Sequence, residues 1–165
     1  MSNNRRMVRA AVVVMLMAPA AVSAQQAAST GDQGVATLYG SKATLLKAAR
    51  EQVKAARELP SSDPQAARGL SQAGDLFYHA GHNGDALRVL EESGDLALQR
   101  GDVAFAADVF LKAAMVATHA QQSDRAARLV AQAELMSASP LLSADQRQAI
   151  LDRIERRAGR AVVIR

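Results

Sequence analysis

The feature that most constrains this chain is a similarity to itself at an offset of 20 residues. Gly74-Asp75-Leu76 recurs as Gly94-Asp95-Leu96, and Gly81 recurs as Gly101. Ala66, Ala86, Ala106 and Ala126 fall in one column, and Leu70, Leu90, Phe110, Val130 and Ile150 in another. The apolar period is helical, with Leu45, Leu46, Ala49, Val53 and Ala56 spaced at three- and four-residue steps. No alternating run rich in valine, isoleucine or aromatics precedes Ala161-Val162-Val163-Ile164, so a sheet has nothing to be built from. One helix and its turn therefore recur every 20 residues, and two make a hairpin of about 40. Small residues let helix axes approach, while the large apolar column fills the space between them.

Turn and capping residues punctuate the repeat. Asp63-Pro64 offers a side-chain acceptor for free amides, then a proline whose missing N–H costs nothing in a first turn. Asn83-Gly84, Gly101-Asp102 and Ser123-Asp124 are read the same way, and Ser143 with Gln146 spells a capping box. The pattern predicts helices over 41–59, 64–80, 84–99, 102–119, 123–138 and 143–159. Linkers of a few residues force neighbouring helices to run antiparallel. The expected fold is all-α: an α-solenoid of antiparallel helical hairpins over 41–159, about six helices, then a basic and apolar tail at 160–165.

The N-terminal stretch has a different composition. Arg5, Arg6 and Arg9 precede an apolar run from Ala10 to Ala21, broken only by Pro19, and Val22-Ser23-Ala24 supplies small residues for cleavage. This is the pattern of a cleavable export signal over residues 1–24. The run falls short of the roughly 20 apolar residues that a membrane-crossing helix needs. Residues 25–40 are small, polar and glycine-punctuated, and read as a flexible leader. The expected product is periplasmic or secreted, and soluble. Cleavage removes three of the 20 basic residues and none of the 16 acidic ones, leaving a nearly neutral 17 against 16. The basic precursor is therefore no argument for nucleic acid. Local asymmetry survives from Asp145 to Arg165, where six arginines stand against three acids, as a solvated helix face or a contact for an anionic partner. The absence of cysteine excludes disulfides, thiolate metal sites and a lipidated N-terminal cysteine.

Ser71, Asp75 and His79 share one helix face and invite a hydrolase reading. At about 1.5 Å per residue the serine and histidine stand roughly 12 Å apart with the acid between them. A triad needs the histidine in the middle, so no catalytic residue is assigned. His79, His82 and His119, with Asp75 nearby, form the alternative of a metal-binding protein, since imidazole and carboxylate suit zinc. Glu91, Glu92 and Asp95, with Arg88 four residues before Glu92, read as an exposed charge-paired face. Gly34 to Lys42 has the wrong spacing and order for a phosphate loop. Phe77 and Phe110 belong to the core column, whereas Tyr78 and Phe105 fall off it as candidate exposed anchors.

Gly94, Gly101, Ala106, Phe110 and Ala113 stand at the spacing of the small, turn, alanine, aromatic and alanine positions of the tetratricopeptide repeat, and the chain resembles that family over residues 64–138. Gly74, Phe77, Gly81, Ala86 and Leu90 fit it again one helix earlier. The period is about 40 rather than about 34, which is closer to long-helix variants of the family. The resemblance implies a non-catalytic protein-interaction scaffold without a cofactor, its partner a protein or peptide segment or a second copy of the chain. A structural subunit of an envelope assembly is a further alternative. Candidate groove residues are Arg68, Asp75, Tyr78, His79 and Phe105.

Overall fold

The computed structural model describes residues 41–162, with side chains as far as 156. Six helices follow one another: α1 (Lys42–Glu58), α2 (Pro64–His79), α3 (Asn83–Gln99), α4 (Val103–His119), α5 (Ser123–Ser137) and α6 (Ala144–Val162). No strand occurs among the described residues. The fold is an all-α helical repeat in which each helix packs against the one before and the one after, α6 resting less extensively on α5 and α4. α6 continues past the expected end at 159 to Val162, so most of the anticipated tail is helical or lies outside the described residues, as the export signal and leader do.

Four helix starts are made by the capping chemistry their residues offer. Ser41 Oγ accepts the Thr44 N–H at 3.2 Å, and Asp63 Oδ1 accepts that of Gln65 at 2.8 Å, beside Pro64. Asp102 Oδ1 accepts the Phe105 N–H at 3.3 Å. Ser143 and Gln146 close a reciprocal box, the Ser143 N–H donating to Oε1 at 2.9 Å and the Gln146 N–H to Oγ at 3.2 Å. Two caps differ from expectation: Asn83 and Ser123 are already the first helical residues, and the caps are His82 and Gln122, neither with a side-chain bond. The cause is the tightness of the turn. The His82 N–H donates to the Phe77 carbonyl at 2.8 Å, ending α2, so one residue must both close a helix and open the next.

That turn is the same three times. Gly81 (φ 84°), Gly101 (φ 74°) and Gln121 (φ 59°) are left-handed. Each donates to a carbonyl three residues back, and the following residue donates five back, the Schellman pattern that satisfies the last carbonyls of a helix. The last connection abandons the device. Instead Arg147 reaches back from α6, donating from Nε to the Ser137 carbonyl at 3.0 Å and from Nη2 to the Ser139 carbonyl at 3.3 Å.

Packing explains the glycine column. A Cβ on Gly74 would lie 2.5 Å from Leu90 Cγ, and one on Gly94 would lie 2.6 Å from Phe110 Cζ. The glycine of each helix is thus the socket for the large apolar residue of the next, at α2–α3 and again at α3–α4. The same contact recurs one helix later, so the repeating unit of the packing is a single helix. Phe77 and Phe110 are buried, as are Leu70, Leu90 and Ile150 of the large column. α4 buries residues around most of its circumference, as a helix enclosed by neighbours must. The fully buried Ser93 on α3 is satisfied by donating to the Ala67 carbonyl of α2 at 2.6 Å.

Candidate functional site

Ion pairs join each helix to the next but one, which sorts the helices into an odd layer (α1, α3, α5) and an even layer (α2, α4, α6). In the odd layer, successive residues of α3 face opposite ways. Glu92 takes Arg57 of α1 in a two-pronged contact (Nε 2.9 Å, Nη2 2.6 Å), and Glu91 takes Arg125 of α5 likewise (both prongs 2.8 Å). Hydrogen bonding by the carboxylate raises each guanidinium's proton affinity above its ordinary value, more than partial burial lowers it. In the even layer, Lys112 Nζ of α4 lies 2.7 Å from Asp75 Oδ2 and 3.4 Å from Ser71 Oγ of α2, and Arg153 of α6 pairs with Asp108 of α4.

These contacts relocate the sequence candidates. Asp75 is held by Lys112 rather than by a histidine. Tyr78 hydrogen-bonds through its hydroxyl to His119 Nδ1, the rings stacked with centroids 5.5 Å apart and planes 20° apart. Tyr78 and Phe105 are both half-buried against the core rather than exposed anchors, because α4 covers the former and the first turn of α4 turns the latter inward. Arg68 and His79 are exposed, and the His79 ring lies 5.4 Å from that of Tyr78. The structure therefore gathers Asp75, Tyr78 and His79 with Lys112 and His119 on the even layer and leaves Arg68 and Phe105 apart. His82 lies 3.7 Å from Asp85, which also receives Arg88 at 3.5 Å, so Arg88 serves Asp85 and not Glu92. Among the described residues no group of three or more His, Asp or Glu is arranged to hold a metal ion. The arginine-rich end is partly spent inside the molecule, on the Ser137 and Ser139 carbonyls and on Asp108.

A concave feature lies on the odd layer. A groove of ≈ 480 Å³ runs between α3 and α5, with Phe110 of α4 and Leu129 of α5 as its apolar floor and Glu91, Asp95, Arg125, Arg128 and Gln132 along its sides. Glu91 and Arg125 close on each other at one level. One turn further, Asp95 and Arg128 have no ion-pair partner among the described residues. Burial, and then the negative charge of Glu91, push the Asp95 carboxyl above its usual range, so this acid is short of donors. None of the five sequence candidates lines this groove. Its one closed pair, Glu91 with Arg125, joins residues 34 apart, six short of the 40-residue hairpin period, so the repeat columns do not bring the two together in the sequence.

The fold and its two ladders of ion pairs define the class, an all-helical repeat protein. Comparison with protein-family models, with curated proteins and with solved structures finds no match to this chain. Among the described residues no helix is long and apolar enough to cross a membrane.

Proposed function

We propose that this chain is an exported, non-catalytic scaffold of tetratricopeptide-like helical repeats that holds a protein or peptide segment in the groove between α3 and α5. The observation that carries the proposal is the groove's composition: an apolar floor of Phe110 and Leu129 beneath an acid and a base, Asp95 and Arg128, that have no ion-pair partner among the described residues. Convergent polar groups over an apolar floor suit an extended segment that buries a side chain and meets both charges. A non-catalytic role is supported by the polar stripe of α2, whose Ser71 and Asp75 are engaged with Lys112 in joining α2 to α4. Export is supported by the basic, apolar and small-residue succession of Arg5 to Ala24.

The test is affinity capture from the native envelope with the wild-type chain and two variants. Asp95→Lys combined with Gln132→Arg alters the groove on half-buried or exposed positions, and Arg68→Ala alters the other layer. The proposal expects a partner that is retained by Arg68→Ala and weakened at least about tenfold, roughly 1.4 kcal/mol, by the groove variant. Equal retention by both variants contradicts it.

A further inference from the structure

On the inner helices, the position of Leu87 in α3 and Ala107 in α4 is fully buried, and Leu111, four residues on from Ala107, is buried too. The 20-residue repeat places Ala127 and Ala131 of α5 at the positions of Ala107 and Leu111, yet both are exposed. The same face of α5 carries Leu135, 79% exposed, and leads to Leu141, 69% exposed. These are the two most exposed large apolar residues described, and they stand where the repeat would lay its next helix. α6 does not cover them; it packs Ile150 and Ile154 into the core instead.

We infer that this face of α5 is covered by the same face of a second copy, in an isologous dimer whose two-fold axis passes at Ala131. The sequence around Ala131 is complementary to itself when one helix is reversed. Four residues to either side stand Ala127 and Leu135, so each leucine is level with the partner copy's small alanine. Three residues to either side stand Arg128 and Glu134, so each arginine is level with the partner copy's glutamate. Both charged residues are exposed and neither has an ion-pair partner among the described residues. Ala131 itself, on the axis, lets the two backbones approach. A surface that meets its own copy in this way is closed by one two-fold and does not propagate into fibres. The two readings share Arg128, which lines the groove, and are told apart at Leu135 and Ala131, which do not.

The chain, expressed with its leader and purified as the host delivers it, is examined by sedimentation velocity over a wide concentration series. The expected species is a dimer. Leu135→Asp, at an exposed site that leaves the helical circular dichroism unchanged, weakens it by about a hundredfold or more, because the symmetry loses the contact twice. Arg128→Glu weakens it, and adding Glu134→Arg restores it. Because the chain has no cysteine, Ala131→Cys under mild oxidation forms a disulfide-linked dimer faster than the exposed Ala149→Cys does. A monomer at all concentrations, a dimer indifferent to Leu135→Asp, or equal cross-linking at residues 131 and 149 overturns the inference, including the case in which another molecule covers this face.

Discussion

At Gly94 the general preference of a helix for alanine over glycine is reversed by its neighbour. Propensity alone favours alanine by about 1 kcal/mol. The added Cβ, however, meets three Phe110 ring atoms within 2.9 Å, and the ring is buried with nowhere to go. We expect Gly94→Ala to destabilise by about 1–2 kcal/mol in denaturant unfolding, the overpacking cost exceeding the propensity gain. Gly84→Ala, where no atom lies within 4 Å, should instead stabilise by about 0.5–1 kcal/mol. A stabilised Gly94→Ala would contradict the socket. Gln121 gives the converse case, a side chain held at φ 59° where the two preceding turns use glycine. Gln121→Gly should raise stability by about 1 kcal/mol, and an unchanged or lower melting temperature would refute this. Asp95 carries the pH dependence. Its carboxyl is raised in the folded chain, so the folded state binds that proton more readily than the unfolded one. Ionised Asp95 therefore costs stability above its folded pKa, and the cost disappears as pH falls below the unfolded value of about 3.9. Asp95→Asn should melt higher than wild type at neutral pH, with the gap closing in acid; a gap that widens in acid would be the wrong sign.

At the scale of the helix, legibility followed locality. The Asp63-Pro64 start and the Ser143–Gln146 box were readable because each involves residues two or three apart, and both form as written. Asn83-Gly84 and Ser123-Asp124 misled by one residue, since the Schellman closure before them had already used positions 82 and 122. The Arg147 cap was invisible, because it joins residues 8 and 10 apart across a connection with no glycine signal. Arg147→Ala should loosen this end selectively. Hydrogen exchange of α6 amides should quicken while those of α2 to α4 keep their rates, as expected where a terminal element packs least. Uniform acceleration along the chain would show that the cap matters to global stability instead.

On the scale of the molecule, the repeat columns carried the fold, because burial repeats with the helix and leaves its period in the sequence. The groove was not legible in the same way. Its sides come from α3 and α5 and its floor from α4, and only the packed structure shows that Asp95 and Arg128 share a hollow while Asp75 is taken by Lys112. Arg68, Asp75, Tyr78, His79 and Phe105 were chosen for polarity or for lying off the apolar column, a criterion that does not separate residues joining two helices from residues facing a partner.

The most direct measurement of the central claim is site-specific photo-cross-linking in the native envelope, with a benzoylphenylalanine at Gln132 in the groove and, separately, at Arg68 on α2. The scaffold account predicts a discrete adduct with another polypeptide from Gln132, competed away by the unlabelled chain, and none from Arg68. Adducts from Arg68 alone, or none from Gln132 at any expression level, would contradict it.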